Sequence, residues 1–348
     1  MYTLKSVFSI FKQKKLLIIE AATIVLVLCL LYIVDKGNFR PSSFYFDSED
    51  IYYEYQAAKE LYHKANPYQR ILQSNMIEND KYATLLPLYY YFLVFVRVFS
   101  HNEFDNFISN MRWVLFAFQS LGGLLLYLMY RRENKKLLGF AVAAIYLFNS
   151  WTLETFLLLK QDLVSIALLL ASLYFLGKKS RLSYFLYGLS LGIKHIGVFA
   201  LPLYLIPLIY KERTLREFIG DLIALGVPII LPAVPFLLAD APSFLRSMLF
   251  SFTRDSSGSI VRFGYGRLLV NYSDSGLNGE PAELFLPRIP LAVATLVNFL
   301  LLVTKRMPKI YFVLTGILIF AVFNPVVFNQ YIAWLPPLIF AAFAMRES

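Results

Sequence analysis

Long apolar runs, separated by short clusters of lysine and arginine, recur along almost the whole of this chain. Hydrophobic residues make up 58% of its 348 residues, and charged residues only 16%. A water-soluble chain could not hide this much apolar surface, so the main solvent of the chain must be lipid. We therefore predict an all-α polytopic membrane protein.

The positions of lysine and arginine predict how the apolar runs are oriented, because basic clusters favour the cytoplasmic side of a membrane. The N-terminus and the later basic clusters are placed there. About ten transmembrane helices follow: residues 16–34, 113–130, 137–150, 163–177, 182–193, 196–210, 218–238, 289–304, 310–328 and 331–345. The first run lacks a clear cleavage site and is predicted to be a retained signal anchor. The whole chain, residues 1–348, is expected to be a single multi-pass domain of the plasma membrane, or of the inner membrane of a bacterium.

Two segments are predicted to be large extracytoplasmic loops, residues 35–112 and residues 239–287. An apolar segment inside the first loop, residues 84–100, breaks the alternation of sides. If it crossed the membrane, every later basic cluster would lie outside, so we predict an interfacial or re-entrant helix. The first loop then carries juxtamembrane helices. Residues 151–161 are predicted to be a shorter outer loop.

The formal net charge of +10 does not indicate nucleic-acid binding. The basic residues lie in short clusters between apolar runs, which is the pattern of loops at an anionic leaflet. The lipid bilayer is therefore an expected partner and nucleic acid is not. The sequence has no Gly-rich phosphate fingerprint, no Cys/His metal cluster and no Gly-x-Ser-x-Gly elbow. No cofactor and no metal ligand set is predicted from these residues.

Acids and tyrosines are concentrated near the start of the first outer loop, in residues 46–55. A carboxylate can accept the proton of a hydroxyl group, and tyrosine rings such as that of Tyr55 can stack on a sugar. A phosphate leaving group needs cationic stabilisation, which Arg112 and Lys194 could supply. Arg262 and Arg267, in the late outer loop, are further candidates. These residue types suit sugar transfer from a lipid phosphate.

Five short motifs follow one another on the predicted outer face. They are Asp50-Ile51-Tyr52-Tyr53-Glu54-Tyr55-Gln56-Ala57-Ala58 with Asn66-Pro67-Tyr68; Thr84-Leu85-Leu86-Pro87-Leu88; Gln161-Asp162-Leu163-Val164-Ser165-Ile166; Gly188-Leu189-Ser190-Leu191-Gly192-Ile193-Lys194-His195; and Phe328-Asn329-Gln330-Tyr331-Ile332-Ala333-Trp334-Leu335-Pro336. In this order they resemble the GT-C superfamily of integral membrane glycosyltransferases. They are most similar to GPI mannosyltransferase I and to the bacterial polyprenol-phosphate-mannose-dependent mannosyltransferases, of the glycosyltransferase family 87 type. One departure is Gly197, which stands where the family usually has proline.

The resemblance implies a GT-C-like fold and inverting transfer of a hexose, mannosyl-like in this family, from a polyprenyl-phosphate donor to an acceptor hydroxyl. The acceptor would be a glycolipid, a glycan or a protein. Asp50 would be the base that deprotonates or positions the acceptor, with Asp47 and Glu49 as alternatives. Asp162 would be a second acid, which holds a divalent cation in metal-dependent relatives. The resemblance also implies substrate contacts for Lys194, His195, Gln330, Tyr331 and Trp334.

Simpler interpretations stay open for the same residues. Asp47 and Asp50 are spaced like an N-cap and the third residue of a helix, so they could simply start a surface helix. Asp162 could cap the helix that follows it. Lys194 could extend to lipid headgroups, and Tyr331 with Trp334 could form an aromatic anchor at the membrane surface. Two other functions also stay open. A carrier or flippase for a polyprenyl-linked saccharide would use a broken helix such as residues 188–207. A non-catalytic membrane scaffold would have dispensable outer acids.

Overall fold

A computed structural model describes residues 50–69, 83–176, 180–209, 214–253, 288–307, 309–324 and 329–345. All of these ranges belong to one of the two units of the chain, Asp47–Ser348. The predicted signal anchor, Asp47, Glu49, Arg262 and Arg267 lie outside the described residues.

Every regular element in the described ranges is a helix. In chain order the α-helices are α1 Asp50–Tyr62, α2 Pro87–Phe99, α3 Phe104–Arg132, α4 Lys136–Phe148, α5 Ser150–Leu157, α6 Asp162–Phe175, α7 Ser180–Ile193, α8 Leu201–Ile209, α9 Leu215–Thr253, α10 Ile289–Val303, α11 Lys309–Phe323, α12 Asn329–Ile332 and α13 Leu335–Ala344. A 3-10 helix, His195–Ala200, joins α7 to α8.

Two helices are long and apolar enough to cross a membrane, Phe104–Arg132 and Leu215–Leu249. A third crossing is available if α4 and α5, which meet at an angle of 47°, form one bent span. The other apolar helices in the described ranges are shorter than the ~20 residues that a hydrocarbon core requires. Over the described residues the structure thus confirms an all-helical fold, with two to three helices that could span a membrane. The count of ten stays a prediction.

Helix α2 occupies the apolar segment whose side of the membrane was ambiguous in the sequence. Pro87 stands at its start, where a missing N–H group costs nothing, and the preceding Leu86 is extended. The helix has only 13 residues. Its length fits an interfacial or re-entrant helix better than a complete crossing.

The segment predicted to be a short outer loop, residues 151–161, is largely helical. Asn149 accepts a hydrogen bond from the backbone N–H of Thr152 and so caps α5. The polar residues from Asn149 to Thr155 indicated a loop, whereas Asn149 in fact caps a further helix. Only the residues after α5 form the connection to α6.

Helix α9 extends beyond residue 238, where the sequence predicted its end. Asp240 breaks the helical backbone, with φ −162° and ψ 75°. Its carboxylate accepts hydrogen bonds from both the N–H and the hydroxyl of Ser243, so it caps a second helical segment that runs to Thr253. The first part of the predicted late loop, residues 239–287, is therefore helical.

Tyr68 fastens the segment after α1 to the rest of the bundle. Its side chain is fully buried, and its hydroxyl donates to the carbonyl oxygen of Leu85 at 2.8 Å. Its ring meets Phe236 and Phe244 of α9 edge-on, at centroid distances of 5.1 and 5.0 Å. This anchor fixes α1 relative to α2 and α9, and α1 carries two of the acids described below.

Small residues allow α7 to lie close to its neighbours. Ser165 of α6 and Ser190 of α7 each donate to the backbone carbonyl of the other. On its other side α7 packs on α9, where Gly188 faces the backbone of Leu225. Small and hydroxyl side chains are typical of close helix pairs in membranes.

We expect Gly188→Ala to destabilise the protein by about 1–3 kcal/mol, because its methyl group would overlap the backbone carbonyl of Leu225. Backbone atoms cannot turn away as a side chain can, so α7 and α9 would have to separate. Thermal unfolding of the purified chain in detergent measures the effect. Gly197→Ala is the matched control, since its nearest neighbour would be 3.5 Å away. Equal losses in both variants would contradict the proposed close contact.

Candidate functional site

Charged and aromatic side chains from distant parts of the chain meet in one place, which we call the polar cluster. Its members are Asp50, Glu54, Tyr89, Lys160, Asp162, Lys194, Tyr331 and Trp334. They come from the N-terminal parts of α1, α2 and α6, from the connections before α6 and after α7, from α12, and from the segment that joins α12 to α13. Four of the five motifs from the sequence contribute directly, and Tyr89 directly follows the motif at residues 84–88.

Asp50 forms an ion pair with Lys160. The distance from Lys160 Nζ to the Asp50 carboxylate is 2.5 Å, and the two side chains are 11% and 46% exposed, respectively. Leu159, at a left-handed φ of 53°, shapes the turn that presents Lys160. Asp50 thus sits at the open edge of the cluster, held by a lysine that the sequence analysis did not select.

Glu54 lies one helical turn after Asp50, on the same face of α1. Its carboxylate accepts a hydrogen bond from the Tyr89 hydroxyl at 2.5 Å. Burial raises the pKa of Glu54 to about 7, and the Asp50 carboxylate adds to the rise, while the Tyr89 hydrogen bond, Lys160 and Lys194 oppose it. The sequence analysis missed Glu54. Its spacing of four residues from Asp50 becomes a signal once α1 is known to begin at Asp50.

We expect the Glu54 carboxyl group to titrate near neutral pH. Infrared difference spectra should show a carboxylic-acid band that disappears as the pH rises through about 7. Glu54→Gln should remove this band. Glu103→Gln, which changes an exposed carboxylate hydrogen-bonded to Asn106, should leave it intact. A titrating band that survives in Glu54→Gln would assign the proton to another group.

Asp162 lies at the buried centre of the cluster, with no exposed surface. One carboxylate oxygen accepts a hydrogen bond from Trp334 Nε1 at 2.8 Å, and the other lies 3.3 Å from Lys194 Nζ. Asp162 is also the first residue of α6, where the helix dipole favours a negative charge. These three favourable contacts keep a carboxylate in an otherwise apolar bundle.

Lys194 stands in extended backbone between α7 and the 3-10 helix. Its ammonium lies 5.8 Å from the ring centroid of Tyr331. Burial alone would lower the pKa of Lys194, but Asp162, Tyr331 and Glu54 together raise it, so it carries its charge at neutral pH. Burial and the neighbouring Lys194 cation lower the pKa of His195 to about 4, so its imidazole is neutral.

Tyr55, Arg112 and Gln330, which the sequence also predicted to bind substrate, are not members of the polar cluster. The Tyr55 ring is buried against Phe104 and Phe107, and its hydroxyl donates to the carbonyl oxygen of Asn102, so its contacts lie away from the cluster. Arg112, in α3, is half-buried, with Nη2 fully covered. Gln330 is half-buried in α12, next to Tyr331.

The cluster alternates negative and positive charges across a short distance. Two carboxylates each form an ion pair with a lysine, and burial raises the pKa of a third carboxyl group, that of Glu54, to about 7. In the part of the chain that the structure describes, no three His, Cys, Asp or Glu side chains are grouped so that they could hold a metal ion. The arrangement suits proton exchange with a hydroxyl group and electrostatic binding of a phosphate.

No protein-family model matches the chain, and no curated protein sequence matches it. The resemblance to the GT-C superfamily therefore rests on the short motifs alone, and a function has to be argued from the polar cluster itself.

Proposed function

We propose that this chain is a membrane glycosyltransferase with a GT-C-like fold. It transfers a hexose, mannosyl-like, from a polyprenyl-phosphate donor to an acceptor hydroxyl at the extracytoplasmic face, with inversion at the anomeric carbon. The supporting observation is that Asp50, Asp162, Lys194 and Tyr331, taken from separate motifs, meet in the polar cluster. The acceptor is a glycolipid, a glycan or a protein.

Glu54 is the general base in this proposal, in place of Asp50. The ideal base has a pKa near the working pH, and burial raises the pKa of Glu54 to about 7. The Asp50 carboxylate, in contrast, is already engaged in an ion pair with Lys160. Asp50 then acts as a positioning residue that keeps Lys160 beside Glu54 and raises the proton affinity of Glu54 by its charge.

Transfer proceeds in one displacement. Glu54 removes the proton of the acceptor hydroxyl while the acceptor oxygen attacks the anomeric carbon of the hexose. The bond from that carbon to the phosphate oxygen breaks, and the lipid phosphate leaves with the electron pair. The ammonium groups of Lys194 and Lys160 stabilise the added negative charge. Glu54 afterwards releases its proton to water.

Tyr331 and Trp334 have separate roles. The half-exposed ring of Tyr331, beside Lys194, is placed to stack on the sugar. Trp334 is 1% exposed and donates to Asp162, so it holds that carboxylate instead of contacting the substrate. Asp162 in turn holds Lys194. The donor phosphate thus binds Lys194, whose position is fixed by Asp162.

A carrier for a polyprenyl-linked saccharide is the second candidate. Paired buried charges and an acid that titrates near neutral pH also occur in proton-coupled carriers, and this observation favours that alternative. A carrier, however, moves its substrate without breaking the bond between sugar and phosphate. A non-catalytic scaffold would neither break that bond nor move the substrate.

The two candidates differ in their products. Purified chain in liposomes would be given a polyprenyl-phosphate hexose with a ¹³C-labelled sugar, together with soluble and lipid acceptors. A transferase releases polyprenyl phosphate, seen by ³¹P NMR, and forms a new glycosidic bond of inverted configuration, seen by ¹³C NMR. Intact donor that appears in the opposite leaflet, without release of polyprenyl phosphate, would overturn the proposal in favour of a carrier.

A further inference from the structure

A second cationic site lies outside the polar cluster, at Arg97 in the last turn of α2. The side chain is 3% exposed. Its Nε and Nη1 atoms are buried, and neither has a hydrogen-bond partner in the described part of the chain. Burying a guanidinium whose N–H donors have no acceptor costs free energy. Such a group in a folded protein therefore indicates that an acceptor binds there.

Two tyrosine rings flank this guanidinium. Its central carbon lies 5.5 Å from the ring centroid of Tyr55 and 4.9 Å from that of Tyr62. Such rings attract the positive charge, but a ring face cannot satisfy N–H donors that lie in the guanidinium plane. The Tyr55 hydroxyl is already used, since it donates to the Asn102 carbonyl oxygen. Tyr62 is 45% exposed, so one side of the site reaches the surface.

The surface beside this site is apolar. Phe95, Val98 and Phe99 of the same helix are exposed by 62%, 47% and 64%, and the rings of Phe95 and Phe99 lie 4.7 Å apart. Acyl chains can lie along such a face. A buried cation next to an exposed apolar face matches a molecule that carries both an anion and a hydrocarbon tail.

We propose that Arg97 and Tyr62 bind the phosphate headgroup of an anionic phospholipid, whose acyl chains follow the exposed face of α2. The guanidinium presents adjacent N–H donors in a fixed fork, which fits two phosphoryl oxygens at once. This site does not depend on the proposed transfer reaction, because the two rings that flank the Arg97 guanidinium, Tyr55 and Tyr62, are not members of the polar cluster. Its ligand is a structural or regulatory lipid, and the ligand is not consumed.

The test is a binding titration of the full-length chain in detergent with dioctanoyl phosphatidic acid. Dioctanoyl phosphatidylcholine and glycerol 3-phosphate are titrated in parallel. We expect saturable binding of phosphatidic acid, and at least tenfold weaker binding in Arg97→Met. Arg132→Met is the matched control, because Arg132 also stacks on a tyrosine, at 4.2 Å from the Tyr174 ring, but already donates to a carbonyl oxygen. Equal binding of glycerol 3-phosphate would replace the lipid with a free phosphate ester and overturn the proposal.

A fold control separates binding from packing. If the Arg97 donors are paired only when an anion binds, Arg97→Met should unfold without lipid at the temperature of the wild type or at a higher one. It should also lose the stabilisation that phosphatidic acid gives to the wild type. Arg97→Lys keeps the charge but not the fork, so it should bind phosphatidic acid more weakly than the wild type and more tightly than Arg97→Met. An Arg97→Met variant that unfolds earlier but keeps its phosphatidic-acid stabilisation would overturn the proposal.

Discussion

Glu54→Gln should lower the turnover of hexose transfer by about 10²- to 10⁴-fold, the usual contribution of a positioned general base. The amide keeps the size of the side chain and can still accept the hydrogen bond of Tyr89, but it cannot take a proton. Binding of the donor should change little. The measurement is the rate at which purified chain releases polyprenyl phosphate from a polyprenyl-phosphate hexose at saturating acceptor.

Two variants make this result specific. Glu103→Gln removes an exposed carboxylate from the residue before α3 and should keep wild-type turnover. Asp50→Asn should reduce the rate less than Glu54→Gln, because Asp50 acts through Glu54 and Lys160. If Asp50→Asn abolished transfer while Glu54→Gln kept it, Asp50 would be the base and the role of Glu54 would be wrong.

Asp162→Asn should destabilise the protein by about 3–5 kcal/mol, the cost of leaving one member of a buried ion pair without its partner. Asparagine can still accept the hydrogen bond from Trp334, so the loss isolates the uncompensated charge of Lys194. The free energy of unfolding in detergent measures the change. Asp105→Asn is the control, since this exposed acid in the first turn of α3 should contribute only about 0.3–1 kcal/mol through the helix dipole.

A double variant tests whether the unpaired charge of Lys194 causes the loss of stability in Asp162→Asn. Asp162→Asn combined with Lys194→Met removes the unpaired cation and should recover most of the lost stability, because a buried ion pair is often replaceable by uncharged side chains of similar size. The double variant should be inactive in transfer, since it lacks Lys194, the lysine that we propose binds the donor phosphate. Stability equal to that of Asp162→Asn alone would show that the loss arises from packing instead of charge.

The positions of the helices followed from the sequence because apolar runs in lipid have no other regular structure available. Residues 113–130 and 218–238 lie within Phe104–Arg132 and Leu215–Leu249. The ends of the helices could not be predicted in the same way, because capping side chains determine where a helix begins. Asp240 restarts a helix inside a segment predicted to be a loop, and Asn149 starts another.

Part of the cluster could also be predicted from the sequence. Asp50, Asp162 and Lys194 are charged residues at the ends of helices, where a charge next to an apolar run is conspicuous. Lys160 and Glu54 were missed for a different reason. Lys160 pairs with Asp50, 110 residues away, and Glu54 pairs with Tyr89, 35 residues away. Such long-range pairs depend on how the helices pack, which the sequence alone does not show.

The partner of Tyr89 could not be predicted from the sequence either. An interfacial helix would place its tyrosines among the lipid headgroups, yet Tyr89 is buried and its hydroxyl donates to the Glu54 carboxylate. Composition could not distinguish Tyr89 from Tyr91, which is 39% exposed. The direction of each side chain around the helix made the difference.

The most direct test is the pH dependence of kcat/KM for hexose transfer, which reports the ionisation of the free enzyme. The base must be deprotonated to act, so kcat/KM should rise with pH and reach half its maximum near 7, the value to which burial raises the pKa of Glu54. Asp50→Asn should move this midpoint to lower pH, because it removes a negative charge that favours the protonated form. A profile that lacks this rise, or a midpoint unmoved in Asp50→Asn, would contradict the central claim.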